Sequence, residues 1–396
     1  MTGIVPQPGL VPKASVTIET VTTLDGIAAL GPSYERLLRV TGNSLPFATH
    51  QWHLTWCKHF LGGATPQRDD SPLLYVIRNA ASECVAIIPF IVSRRRMGPV
   101  RFVFLRLIGV EHVLTEIRAP VIESGYEYLA VRAMRESLNS QIDWDWIHWT
   151  GIGGDFEQAL RVGSNLQYSL PLPYYVLDLA PTWEEFRAGL KRNIRESLRH
   201  CYNSLKRDGL AYQFEVLTEP LDVRPALDRF IELHAMRAAL KGTVVHPNRF
   251  AEPLERDFLY AVCERMSVAG SLRLFCLRIG GEVVAMRIGF LVGDSLYLYY
   301  SGYHPNWGRY SVMTTTVAES IKYAIGLGLK TVNLSPGNDV SKTRWGPREL
   351  PYSSAYELRE RLRSRLARGV YVTTHAEDAW RQWGVDRLAE VHRHAE

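Results

Sequence analysis

The chain has 396 residues, 22% of them charged and 46% hydrophobic, and 46 basic against 41 acidic side chains leave a net charge of +5. That length predicts two or three domains, and the composition excludes disordered, collagen-like and coiled-coil classes. So mild a positive balance does not demand DNA or RNA, which needs a clustered basic footprint.

Cys57, Cys84, Cys201, Cys263 and Cys276 show no CxxC spacing. They read as reduced thiols of a cytoplasmic protein, not as a disulfide or zinc framework. The longest apolar stretch, 85–92, falls far short of the roughly 20 residues that cross a bilayer. No membrane span is expected.

Residues 1–15 are rich in Pro and Gly and read as disordered. Weak alternation over 16–21 predicts a strand, and helices are expected over 25–40 and 49–60, the second with Thr49 as N-cap. Strands follow at 73–78, 84–95 and 101–109, then a helix at 126–140 and strands at 144–152 and 174–179. The second half repeats that order. A helix over 182–207 leads to a strand at 212–218, helices at 223–240 and 250–268, and a hairpin over 272–293. The hairpin turns at Gly280-Gly281, where a two-residue loop needs positive φ. Strand 295–303, a loop, a helix over 312–327 and strand 330–337 complete the copy, and 355–396 reads as charged helix. The expected organisation is therefore a disordered 1–15, a domain over 16–175, a domain over 176–354 and a helical extension over 355–396.

The stretch 295–345 carries the chemistry. A strand ending in SGY, the loop HPNWGRYS and a helix that starts at once place amide hydrogens and the positive end of a helix dipole beside a strand end. Such a place suits a pyrophosphate. Gly308 and Ser311 allow close approach, and Arg309 adds a fixed charge. Alternation predicts Tyr297, Tyr299, Ser301 and Tyr303 on one face of the strand, able to line a groove and supply a phenolic proton. A half-buried strand whose tyrosines reach solvent is the ordinary alternative.

In 189–209, Leu190, Ile194, Leu198, Cys201 and Leu205 form an apolar stripe, and Arg192, Arg195, Arg199 and Lys206 lie on another face. That face is either solvated or meets a phosphorylated ligand or tRNA. His234 and Arg237 are three apart on one helix face, and His234 is the histidine to test as a base. Asp339, Lys342, Arg344 and Trp345 follow the last strand, where open α/β folds place ligands. No GxGxxG, Walker, HExxH or GxSxG pattern occurs.

Over about residues 45–350 the chain resembles the bacterial acetyltransferase family named for cellulose biosynthesis (CelD/BcsL), within the GCN5-related N-acetyltransferase (GNAT) superfamily. It is also similar to the tandem-domain Fem peptidoglycan aminoacyltransferases. In the first half the resemblance rests on PFATHQWHLTWCKHF, VAIIPFIVSRRRMGPVRFVFLRLIG and WDWIHW. In the second it rests on the basic helix 191–209, FIELHAMR, GGEVVA, YSGYHPNWGRYSV and KTRW.

The resemblance implies an α/β (α+β) fold of tandem GCN5-related acyltransferase domains with mixed, largely antiparallel central sheets. It implies acyl-CoA in the C-terminal domain, with acetyl-CoA the leading donor and no metal. On that reading Tyr299 and Ser301 belong to the strand beside the pantetheine, and Gly308, Arg309, Ser311 and Val312 hold the pyrophosphate arm. Tyr303 or Tyr310 would act as acid and His234 or Asp339 as base. Arg237, Lys342 and Trp345 would meet the acceptor, a small amine or amino sugar used in envelope or exopolysaccharide synthesis. The N-terminal half, lacking a comparable glycine-bearing loop, is expected to be catalytically silent and to shape the acceptor cleft. A Fem-like transferase using aminoacyl-tRNA and a non-catalytic accessory protein of the same fold are the alternatives.

Overall fold

The computed structural model describes residues 15–374 apart from 63–64, 66–67, 99, 111–113, 170 and 241–245. The N-terminal tail and the apolar positions Trp380, Trp383 and Leu388 of the expected helical extension lie outside the described residues.

The first half runs β1 (Thr17–Val21), α1 (Leu24–Ala29), α2 (Gly31–Thr41), α3 (His50–Phe60), β2 (Arg68–Arg78), β3 (Cys84–Met97), β4 (Val100–Leu107), β5 (Val121–Ile122), α4 (Glu127–Gln141) and β6 (Trp146–Ile152). A short link follows, α5 (Gly154–Arg161) and β7 (Leu166–Tyr168), and then β8 (Leu172–Asp178). The second half runs α6 (Trp183–Gly189), α7 (Arg192–Arg207), β9 (Tyr212–Leu217), α8 (Pro220–Ala238), α9 (Pro253–Val268), β10 (Leu272–Ile279), β11 (Glu282–Val292), β12 (Ser295–Tyr303), α10 (Val312–Gly326) and β13 (Thr331–Pro336). It ends with α11 (Val340–Thr343), β14 (Arg348–Leu358) and α12 (Leu362–Thr374).

The expected repeat is present. Each half has a strand, helices, an antiparallel meander of three strands, one helix, and a strand parallel to the meander's last. Local sequence accounts for most of these elements. Thr49 caps α3 by accepting from the Trp52 amide at 3.3 Å, filling one of the orphan donors of the first turn. Gly280 and Gly281 both take positive φ at the β10–β11 turn.

The halves join into one mixed sheet with the order β1-β2-β3-β4-β6-β14-β8-β13-β12-β11-β10-β9. They exchange their last strands. β8, which follows the first half, pairs with β13, and the Ser353–Leu358 part of β14 pairs with β6. The expected helix from residue 355 is therefore a strand as far as Leu358. Its alternation is hard to recognise because Glu357 points inward, where it accepts from Trp149 Nε1 at 2.8 Å and from Arg135 Nη2 at 3.1 Å. A buried carboxylate with two donors is tolerated in a core.

One apolar cluster spans both halves: Phe47, Trp52 and Phe60 from the first pack with Phe258, Phe290, Tyr297 and Tyr299 from the second. Separate clusters fill the α4 side of the first half and the α10 side of the second.

Candidate active site

β12 and β13 are hydrogen-bonded in parallel through only three residue pairs, the last of them Tyr297 with Asn333. Beyond that point the pairing stops, and the strands part toward their carboxyl ends. On the other edge of β12, Tyr299 and Tyr300 stand opposite the single Ile288, a β-bulge. The chain then turns through 304–311 into α10, whose first turn lies at the open end of the gap. Gly302 is needed just there, because a Cβ would come within 2.4 Å of the His234 backbone nitrogen on α8. Ligands favour the carboxyl ends of strands in such sheets.

The mouth is electropositive. Ser311 enters α10 at φ 53° and ψ 42°, a left-handed conformation costly for a residue with a Cβ. α10 has no acidic residue in its first turn. Instead Arg344 reaches it, donating from Nη2 to Thr314 Oγ1 at 2.5 Å, while its buried Nε has no partner among the described residues. A cation at the positive end of a helix is unfavourable on its own. An anion would satisfy both.

Of the residues expected to hold a cofactor, Gly308 and Arg309 are exposed and Val312 is buried. The Arg309 guanidinium donates to Tyr310 Oη at 2.8 Å. Tyr310 in turn donates to Asp208 at 2.8 Å, so this phenol ties the loop to the end of α7. Tyr303 packs beside Gly308 and Tyr310, and its hydroxyl makes no hydrogen bond within the described residues. The bulge breaks the expected alternation. Tyr297 and Tyr299 enter the core shared by the halves, whereas Tyr303 joins the cluster under α7 and α10. Tyr299 is buried and donates to Leu114 O at 2.5 Å. Trp345 lies in the core beside α10.

A second group of polar side chains gathers on the side of the gap facing the first half. His234 donates from Nδ1 to Ser301 O at 2.9 Å and accepts from the Arg249 amide at 3.3 Å. Both ring nitrogens are thus engaged, and burial lowers its pKa. The ring joins α8, β12 and the 246–250 segment, a geometry that leaves no lone pair for the expected base role. Arg237 donates to Ser301 Oγ at 2.7 Å and to His246 Nε2 at 2.8 Å. Burial lowers His246 to about 4 and, with the Arg237 charge beside it, keeps it neutral.

On the β13 arm Lys342 donates to Pro336 O and pairs with Asp339 at 3.3 Å. Burial raises Asp339, but Lys342 and Ser341 outweigh it and hold the carboxyl below its usual range. Burial lowers Lys342 against the pull of Asp339 and Glu116.

Sequence reasoning missed Arg287 and Glu116. Arg287 donates to Leu298 O at 3.2 Å, and burial pushes it down to about 10. Glu116 accepts from Tyr297 Oη at 2.6 Å. It comes from the connection between β4 and α4 in the first half, so no spacing in the second half could have found it.

Residues 192–345 match the family model described as an acetyltransferase (GNAT) domain. No curated protein matches the chain. Among solved structures, FemX is 12% identical with a TM-score of 0.52, covering 77% of this chain and 90% of its own. L-PGS from Bacillus licheniformis is 12% identical with a TM-score of 0.51, covering 87% of this chain and 95% of its own. At such identities these two show a shared fold. The segment that resembles this acetyltransferase (GNAT) family runs from the start of α7 to Trp345 and contains the parted strands and the α10 mouth.

Proposed function

We propose that residues 176–354 transfer an acyl group, acetyl first among donors, from acyl-CoA to the amine of a small molecule or amino sugar, and that residues 16–175 shape the acceptor side. The observation that carries this reading is the mouth of the β12–β13 gap, where a helix N-terminus and Arg344 Nε, unpartnered among the described residues, suit an anion such as a pyrophosphate. The pantetheine would run between the parted strands toward the bulge, beside Ser301. Tyr303, next to the phosphate loop, would protonate the departing thiolate. Arg237 and Lys342 would meet an anionic part of the acceptor. Calorimetric titration of the protein with acetyl-CoA, a longer acyl-CoA and free CoA tests the reading. Micromolar binding is expected, with chain-length preference naming the donor, and absence of binding to all three overturns it.

The exposed face of α7 favours a second reading, a Fem-like transfer from aminoacyl-tRNA. Arg192, Arg195, Arg199 and Lys206 all stand in solvent there, while the stripe of Leu190, Ile194, Leu198, Cys201 and Leu205 is buried. Binding of tRNA that falls steeply with salt would support it. Among the described residues no helix is long and apolar enough to cross a membrane. The five cysteines are free and buried, which fits the reducing cytoplasm where acyl-CoA is made.

A further inference from the structure

We propose that Glu116, supplied by the first half, takes the proton from the acceptor amine in the reaction of the second half. The inference rests on the acyl-transfer reading above and goes beyond it, because it places a reacting group in the half expected to be silent.

Five observations carry it. The segment Leu114–Glu116 inserts into the seam: Leu114 O accepts from Tyr299, Thr115 Oγ1 accepts from Trp52 Nε1 at 2.9 Å, and Glu116 accepts from Tyr297. Tyr297 is the last residue of β12 paired with β13, so the carboxylate stands over the point where the strands part. Its Oε2 has the Tyr297 hydrogen bond, and Glu116 belongs to no ion pair among the described residues. Asp339, the other carboxylate of the cluster, is already paired with Lys342. Finally, Glu116, Arg287 and Lys342 are strongly desolvated yet none is fully covered. They line a recess.

The groups that face Glu116 are Tyr297, Tyr299 and Tyr300 of β12, Arg287 of β11, Lys342 of α11 and Arg249 before α9. Asp339 and Arg237 lie one shell further, around Arg287. Burial raises the Glu116 pKa, and Tyr297, Lys342, Arg287 and Arg249 only partly offset it. A raised carboxylate is a better match for a base at neutral pH than an ordinary one.

The chemistry balances as follows. An acceptor ammonium gives one proton to Glu116, and the freed lone pair forms the C–N bond at the thioester carbonyl. The C–S electron pair leaves on sulfur. The second N–H proton passes to that thiolate through Tyr303 or water, and Glu116 returns its proton to solvent. The products are an amide, CoA thiol and one proton.

The test uses the full chain with acetyl-CoA and three amine probes, glucosamine, an amino-acid methyl ester and a primary alkylamine, reading thiol release. Glu116→Gln keeps an oxygen for Tyr297 to donate to, so the fold is expected to persist. Turnover should fall by about 100-fold or more while acetyl-CoA affinity stays unchanged, and Glu116→Asp should recover part of the loss. In the wild type the rate should rise with pH as Glu116 loses its proton, and that limb should disappear in the Gln variant. A Gln variant within about threefold of wild type overturns the proposal, as does acetyl-CoA that binds but releases no thiol to any amine or to water. Failure of the donor reading shows differently, as no acetyl-CoA binding by the wild type, and takes the proposal with it.

Discussion

The two halves build the same parallel joint and use it differently. β4 and β6 pair through three residue pairs, as β12 and β13 do. In the first half the connection to the following helix is residues 108–126, and its Leu114–Glu116 part enters the seam. In the second it spans only 304–311. The helix entrances also differ. Glu127, in the first turn of α4, accepts from the Gly125 amide at 2.8 Å, so that N-terminus has an acid of its own. α10 has none and is met by Arg344. One scaffold thus has a carboxylate at its helix end and the other an arginine. The long connection of the first half brings Glu116 to Tyr297 of the second.

If the seam is a real core, breaking it should unfold both halves together. Trp52 is fully buried, in edge contact with Phe47, Phe258, Phe290 and Tyr299. Trp52→Ala should cost about 3–5 kcal/mol, measured by denaturant titration with one probe in each half. Coincident transitions are expected, and separated ones would mean that the halves are independent.

The entrances can be compared by removing their side chains in turn. Arg344→Ala should weaken acetyl-CoA binding by about 10- to 100-fold, the range for a hydrogen bond to a charged group. Glu127→Gln, at the matching place in the first half, should leave that affinity unchanged. Equal effects would erase the distinction between the two mouths.

Acid should weaken the first half through its buried imidazoles. Burial lowers both His53 and His148 to about 3. Each is neutral in the folded chain over a range where the unfolded chain binds a proton. Their stabilisation is complete above about pH 6.5 and is lost as pH falls toward 3, at up to about 1.4 kcal/mol per pH unit for each. His53→Gln, which accepts from Tyr34 in place of Nδ1, should flatten the curve over that window. An unchanged slope would show that His53 does not carry it.

The repeat and the α10 mouth were legible because their signals are local. Periodicity, the Gly-Gly turn and the strand–loop–helix order all act within a few residues. What was not legible depends on long-range contacts. The bulge at Tyr299–Tyr300 shifts the face of Tyr303 and follows from pairing with β11. The engaged ring of His234 depends on Ser301 and on the 246–250 segment. Glu116 reaches Tyr297 across 181 residues of chain. β14 looked helical because half of it completes another half's sheet, where Glu357 is buried with Trp149 and Arg135.

The smallest effect separates the two entrances at a single backbone angle. Ser311 enters α10 at φ 53°, whereas Tyr126 enters α4 at an ordinary φ of −102°. Ser311→Gly removes a Cβ from the left-handed region, a gain of about 1–2 kcal/mol, set against about 0.4–1 kcal/mol of added unfolded-state entropy. A net rise in stability of roughly 0.5–1 kcal/mol should appear as a higher unfolding midpoint. The same change at Tyr126 removes no strain and strips a side chain packed on the first half's core, so it should lower stability by about 1–2 kcal/mol. Opposite signs would confirm that, of the two entrances, only that of α10 holds strain. A Ser311→Gly variant less stable than wild type would mean that the serine hydroxyl, not its backbone angle, sets the energy of that turn.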